Sequence, residues 1–223
     1  MIGMNVCITN AIKSHFKSNF NKRLYKWYSY TMIKTEREKM SDGEPYEQFD
    51  PELVERRELI RRELLTINQL DDNKQQNTNI KALLADSGDD FWAETGIEFD
   101  YGFNIHIGNH FYANYHLTML DTCPITIGDH CYIGPDVGFY TPVHPLSAKL
   151  RNADVEMGKP ITVGDSVWMG GHVTILPGVT LGDRVVVGAG SVVTKSFGDD
   201  LVIAGNPARI IRYLDDNGDV SPG

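Results

Sequence analysis

The stretch TPVHPL, residues 141–146, holds a histidine, His144, between Pro142 and Pro145. Imidazole takes up and releases a proton near neutral pH, so a histidine fixed in a loop is a candidate general base. Taken alone, the motif reads more plainly as an exposed loop histidine. Near the other end, GNPARIIRYL carries Arg209 and Arg212 three positions apart behind Asn206 and Pro207. Asparagine as cap and proline at the first helical position predict a helix here, on which the two arginines share a face. Paired guanidinium groups match phosphate through bidentate hydrogen bonds. The plainer account is a solvated basic face.

The elements that must hold these groups are constrained first by composition. At 223 residues and 41% hydrophobic, the chain suits one domain with appendages or two small domains. Its net charge of −9 argues against broad nucleic-acid binding, which needs a basic footprint, but leaves room for a local basic pocket. The three cysteines, at 7, 123 and 131, form no CxxC and leave one unpaired, which points to a reducing compartment. No apolar run approaches the roughly 18 residues of a membrane span, so a soluble protein is expected. Residues 1–35 carry six basic side chains and no acidic one. Residues 1–33 read as a disordered tail, with Met32 as an alternative start. The other reading is a transit peptide, although with only one arginine. The cytoplasm is the expected location, or the mitochondrion if residues 1–33 act as that peptide.

Residues 34–90 read as a helical subdomain. Asp50 caps and Pro51 opens a helix over 50–70, with Leu53, Ile60, Leu64 and Ile67 on one face. Glu52–Arg56 and Glu58–Arg62 are i,i+4 pairs on the other face. DDNKQQNTN (71–79) reads as a turn, and IKALLA begins a shorter helix.

From Phe99 the character changes. Val163, Met169, Ile175, Leu181, Val187 and Val193 recur every six residues, with a second row two positions earlier from Ile161 to Val185. Gly–Asp recurs at 128–129, 164–165 and 182–183. A six-residue period suits neither a helix nor a simple meander. It predicts three short sides per coil of 18 residues, turning where glycine or a left-handed Asp or Asn permits, with both apolar rows inside a parallel β-solenoid over 91–205. The phase slips by two between Ile107 and Ile127, which predicts a bulge or corner near Pro124. It breaks altogether over 141–160, which reads as a protruding functional loop around His144. Residues 206–223 read as a C-terminal helix and tail.

With YGFNIHIGNHFYANYHLTMLD, PVHPL, GKPITVGDSVWMGGHVTILPGVTLGD, GAGSVVTK and AGNPARIIR in view, the chain resembles the maltose/galactoside O-acetyltransferase family of hexapeptide-repeat enzymes over about residues 34–214. The resemblance implies a mainly β fold, a left-handed parallel β-helix with a small N-terminal helical subdomain. It also implies a homotrimer with sites between subunits, and acetyl-CoA as donor to a sugar hydroxyl, with no metal required. His144 becomes the base that takes the hydroxyl proton and passes it to the departing thiolate. Asp100, Asn114 and the adjacent Tyr112 become acceptor ligands. Glu156, in the long loop, is assigned to orienting His144 or touching the acceptor. Arg209, Arg212, Thr194 and Lys195 take the phosphates and adenosine of CoA, Gly171 and Ala189 border the pantetheine arm, and Trp168 walls the groove. Each has a plainer reading: Asn114 a stacked turn residue, Asp100 a corner cap, Trp168 core or trimer packing. Two acids of the family pattern are replaced here, by Gln48 and Thr122.

Two rivals remain at this point. The same solenoid carries zinc-dependent CO₂ hydration in gamma-type carbonic anhydrases, which need three converging histidines. His106, His110, His116, His130, His144 and His172 are available, but their spacings reproduce no matched ligand set. The other rival is a silent β-helix scaffold, against which stand His144, its loop and the arginine pair.

Overall fold

The computed structural model describes residues 34–215 and the backbone of 220–222. Cys7 and the reading of residues 1–33 as tail or transit peptide lie outside the described residues. The six-residue rhythm becomes three parallel sheets around one apolar core. The first face stacks strands at Asp86–Ser87, Ile105–Ile107, Ile125–Ile127, Ile161–Val163 and Thr180–Leu181. The third stacks Glu98–Phe99, Thr118–Leu120, Gly138–Tyr140, Thr174–Ile175 and Val192–Val193. The second runs from Phe91–Ala93 through Phe111–Ala113, Tyr132–Ile133, Trp168–Met169 and Val186–Val187 to Leu201–Gly205. Both predicted apolar rows are buried throughout. Each row presents one residue per side to the same interior, which is why a spacing of six could reveal a fold closed in three dimensions.

The register locates the irregularities. From the first face to the second, each step between matched outward positions is six residues, as in Asp86 to Trp92, His106 to Tyr112 and Thr162 to Trp168. From the second face to the third it is again six, as in Trp92 to Glu98 and Trp168 to Thr174. Only the turn from the third face back to the first varies. It takes eight residues from Glu98 to His106 and from Thr118 to Thr126, 24 from Gly138 to Thr162, and six from Thr174 to Thr180. The slip expected near Pro124 is therefore a two-residue enlargement of this vertex, and the coil before it has the same enlargement. Every insertion leaves the column at one vertex.

The vertex between the first and second faces is held differently. The Asp129 carboxylate accepts the Asn109 N–H (2.7 Å), Asp165 that of Asp129 (2.8 Å), Asp183 that of Asp165 (2.9 Å), and Asp199 that of Asp183 (2.9 Å). This ladder explains the Gly–Asp repeat: a Cβ on Gly164 would lie 2.3 Å from Asp183 Oδ1. The left-handed residues are not these Asp and Asn, as the sequence suggested, but the ones that follow: His110, His130, Ser166, Arg184 and Asp200. The Asp side chain is spent on the next coil instead.

The N-terminal subdomain contains helices α1 (Glu36–Ser41), α2 (Pro51–Ile67) and α3 (Asn73–Lys81). In α2 the Asp50 carboxylate accepts the Glu52 N–H, and Leu53, Ile60, Leu64 and Ile67 are the buried residues, as the sequence predicts. Of the two predicted ion pairs, Glu58–Arg62 forms at 3.8 Å. Glu52 instead meets Arg37 (3.6 Å), because Arg56 turns inward to the Tyr101 and Leu83 carbonyls. The turn expected over 71–79 is mostly α3. Asp72 caps the Lys74 and Gln75 N–H groups, and the buried Asn77 exchanges hydrogen bonds with Ala93, so a polar sequence is held helical by tertiary contacts.

The predicted C-terminal helix is a correction. Ala208–Leu214 is a strand, running antiparallel to Leu201–Gly205 after a reversal at a cis Asn206–Pro207 bond. The last second-face strand presents an unpaired edge, and the branched residues of ARIIRYL suit pairing there better than capping suits a helix. Val220–Pro222 adds one more strand beyond it. The 141–160 loop is also not structureless. It contains Pro142–Val143, helix α4 (Ala148–Arg151) and Val155–Gly158, and it forms a three-stranded sheet with Tyr46–Glu47 of the helical subdomain.

Candidate functional site

The variable vertex is where the chemistry collects. In the first enlarged turn, Gly102 reaches φ +75°, and a Cβ there would lie 2.2 Å from the Leu83 carbonyl oxygen, so only glycine lets the chain double back. Its neighbours are gripped from two sides. Asp121, fully buried in the second enlarged turn, accepts the N–H groups of Asp100 (3.1 Å) and Tyr101 (2.8 Å), while Arg56 Nε donates to the Tyr101 carbonyl (2.8 Å). Arg57 reaches the Tyr101 hydroxyl with one nitrogen and the Gln48 carbonyl (2.8 Å) with the other.

The long loop closes over this floor. Thr141, buried at the loop's stem, donates to the Leu120 carbonyl (2.7 Å) and accepts the Cys123 N–H (2.9 Å), and its own carbonyl accepts the Lys159 N–H (2.9 Å). The loop sheet then pairs Pro142 with Gly158, Val143 with Met157, and Tyr46 with Glu156. Continuing that register by one residue sets position 144 across from 156. His144 is exposed. Glu156 Oε1 accepts a hydrogen bond from the Tyr46 hydroxyl (2.9 Å), and no bond joins Glu156 to His144 among the described residues. Gln48, where the family pattern has an acid, donates to the Asp154 carbonyl (3.3 Å) and so ties helical subdomain to loop. Thr122, the other replacement, is buried.

The electrostatics are those of half-buried polar groups. Burial raises the Asp100 carboxyl above its ordinary value, Arg57 and Arg61 pull it back, and the charge of Glu156 raises it further. Burial pushes the Tyr101 hydroxyl up to about 12 against the pull of Arg57, and holds the Tyr46 hydroxyl far above its usual range beside Glu156. Asp121 is pushed up to about 7, mainly by burial, although backbone N–H groups favour its ionised form. The Asp100 and Glu156 carboxylates and the Arg57 and Arg61 guanidinium groups act on one another at this vertex, and such a set can accept and donate hydrogen bonds to a polyol at once.

The other expected site residues lie elsewhere. Tyr112 projects from the second face, with its hydroxyl 3.4 Å from Glu94. It belongs to a lateral row of Trp92, Tyr112, Tyr132 and Trp168 that continues through Val186 and Val202 to Arg212. Trp168 is 57% exposed, which sets aside core packing for it. Arg209 and Arg212 do share a face, by a route the helix reading missed. A bulge in their strand pairs Arg209 with Ala204 and Arg212 with Val202, two positions apart on the facing strand, so both point outward. Asn114, whose Oδ1 accepts the Tyr115 N–H (2.8 Å), and Gly171 and Ala189 lie at the vertex between the second and third faces. There the Gly170–Ala189 contact admits no larger residue, because a Cβ on Gly170 would lie 2.7 Å from the Ala189 nitrogen. Thr194 and Lys195 follow the last third-face strand, with the Lys195 ammonium 5.4 Å from the centre of the Phe197 ring.

Within one chain, then, Asp100, Glu156 and the His144 loop share a vertex, while Tyr112, Trp168, Arg209 and Arg212 share the face opposite it. The sequence reading missed Tyr46, Tyr101, Arg56, Arg57 and Asp121. Their signal was slight: Arg56 was assigned to a surface ion pair, and Asp121 sits just before the phase slip. The histidines fall into pairs, with His106 on Asp86 (2.7 Å), His110 on Asp90 (2.9 Å) and stacked on His130 (4.4 Å between ring centres), and His116 and His172 both on Asp136 (3.3 and 3.8 Å). Among the described residues no three His, Cys, Asp or Glu side chains are grouped to hold a metal ion.

Comparison with known proteins adds to this geometry. Residues 39–88 match the maltose acetyltransferase hexapeptide capping motif, and residues 160–195 match the bacterial transferase hexapeptide (six repeats). The galactoside O-acetyltransferase of Escherichia coli is 45% identical over 143 residues, covering 64% of this chain and 70% of its own. The crystal structure of a maltose O-acetyltransferase from Clostridium difficile superposes with a TM-score of 0.80 at 42% identity, covering 82% of this chain and 99% of that one. A hexapeptide-repeat acetyltransferase from Vibrio cholerae, solved with acetyl coenzyme A, gives 0.76 at 38% identity, over 82% and 100%. The fold is thus shared along nearly the whole length of solved relatives, and the chain belongs to the maltose/galactoside O-acetyltransferase family of hexapeptide-repeat enzymes.

Proposed function

We propose that this acetyltransferase moves the acetyl group of acetyl-CoA to a hydroxyl of a sugar, with His144 as general base. The observation that carries the reading is the loop sheet, whose register sets position 144 across from Glu156, a residue whose charge acts on Asp100 together with that of Arg57. A sugar held there offers a hydroxyl that is a poor nucleophile until its proton is being removed. His144 takes that proton as the oxygen attacks the thioester carbonyl. Collapse of the tetrahedral intermediate then breaks the carbon–sulfur bond, and the proton passes to the departing thiolate. Arg209 and Arg212 suit the CoA phosphates, and Trp168, Gly171 and Ala189 the arm leading to the thioester.

Acceptor groups and donor face lie on opposite sides of one column. We infer a homotrimer in which the vertex of one subunit meets the second face of its neighbour, since closed cyclic symmetry lets three flat-sided columns pair without open-ended growth. Acetyl-CoA consumption over a panel of maltose, glucose and galactosides, read as released thiol, tests class and acceptor together. The His144→Ala protein should fold normally and lose about 10²–10⁴ in kcat. Near-normal turnover by that variant would end the assignment.

A further inference from the structure

We propose that Asp121 is a positioning residue for the acceptor: its buried carboxylate fixes the backbone of the first enlarged turn and so aims Asp100, the neighbour of the buried Tyr101, at the substrate. This rests on the acceptor reading of that vertex.

The turn is long, irregular and built on a left-handed glycine, so it has no sheet ladder to hold it. Asp121 replaces the ladder. One carboxylate oxygen takes the N–H groups of both Asp100 (3.1 Å) and Tyr101 (2.8 Å), and the other lies 3.4 Å from the Asn104 nitrogen. Asn104 answers from its side chain, donating to the main-chain carbonyls of Asp121 (2.9 Å) and Thr122 (3.0 Å). The outer end of this buried network is Ser41 of α1, whose hydroxyl donates to Asn104 Oδ1 (3.0 Å). Arg56 holds the opposite edge through the Tyr101 carbonyl. Asp121 and Tyr101 are wholly buried and so cannot themselves touch substrate; of the two residues that Asp121 orders, Asp100 is the half-buried one that can. A carboxylate is an unusual choice for a purely structural clamp at this depth, because a buried charge is costly unless fully hydrogen-bonded. What it provides here is two N–H groups from consecutive residues drawn to one oxygen, which fixes both side chains relative to each other.

The test uses the full-length enzyme with the sugar found in the panel. Asp121→Ala removes the oxygen that takes both N–H groups; it should raise the acceptor KM about tenfold, roughly the loss of one good hydrogen bond's worth of affinity, and leave the acetyl-CoA KM within about twofold. Because the effect passes through Asp100, the double variant D100N/D121A should be no worse in acceptor KM than the worse single variant. An unchanged acceptor KM, equal losses toward both substrates, or additive effects in the double variant would overturn the proposal. Should Asp121→Ala fail to fold, Ser41→Ala decides: an acceptor KM raised about threefold supports the network, and an unchanged one refutes it. Should the wild type acetylate no sugar in the panel, the functional reading fails by itself. Amide hydrogen exchange then decides the clamp: faster exchange in Asp121→Ala confined to residues 99–104 supports it, and unchanged exchange overturns it.

Discussion

Two vertices of the same column make opposite use of the same repeat. Between the first and second faces, every coil turns in six residues and an Asp side chain bonds the coil above, rung after rung. Between the third and first faces, successive turns take eight, eight, 24 and six residues. There the contacts reach outward to helices α1 and α2 instead. The comparison teaches where a solenoid can carry chemistry. A ladder repeats because each rung faces an identical rung, so nothing at that vertex can specialise. The vertex freed from repetition must find other partners, and those partners bring unlike polar groups together.

Variants at the two vertices should separate activity from stability. The largest expected effect is that of His144→Ala, which abolishes most turnover without moving the melting temperature. Next comes pH. Burial pushes the native Asp121 carboxyl up to about 7, whereas a free carboxyl releases its proton near its ordinary value of 3.8. Between those values the native state binds more protons than the unfolded state, so this group favours folding on the acid side and its contribution is lost as pH rises through the window. Denaturant melts at pH 4.5 and 7.5 should show wild type losing stability relative to Asp121→Asn, by on the order of 2–4 kcal/mol. A parallel pair of pH curves would refute the raised carboxyl.

Smaller effects belong to the regular vertex. Gly164→Ala forces a methyl against Asp183 Oδ1 and should cost about 1–3 kcal/mol by denaturant titration, with kcat per folded molecule unchanged. Asp165→Ala removes one rung, leaving the Asp129 N–H to water, and should cost about 1 kcal/mol, again with activity intact. The smallest is Tyr46→Phe, which frees Glu156 and should raise the acceptor KM about two- to threefold, with the acetyl-CoA KM unchanged. Loss of activity from a rung variant, or of stability alone from Tyr46→Phe, would blur the division between the vertices.

The sequence revealed the parts of the molecule whose neighbours are copies of themselves. Val163, Met169 and Ile175 announce a coil because each occupies the same environment as the residue six before it. Asp50 and Pro51 announce α2 because capping is local. Asn77 could not announce α3, since what keeps it in a helix is Ala93, sixteen residues away. ARIIRYL misled because Asn206–Pro207 satisfies the local rule for a helix start, while the open edge of Leu201–Gly205 exists only after the column has folded. The candidate site divides along the same line. His144 and the arginine pair could be picked out by residue type and spacing, but Asp121 and Tyr101 depend on which coil lies beneath which, and that follows from the uneven vertex.

The bulge beside Arg212 carries a consequence for engineering. Two cations that a plain strand would send to opposite sides are returned to one side by a single surplus residue. Deleting Ile211 would remove the surplus residue and leave Arg209 and Arg212 two positions apart on a plain strand, opposite Ala204 and Val202 as before, so both guanidinium groups would stay on one side. Losing the surplus residue is thus silent for the paired cations, because the bulged strand and the shortened one reach the same parity.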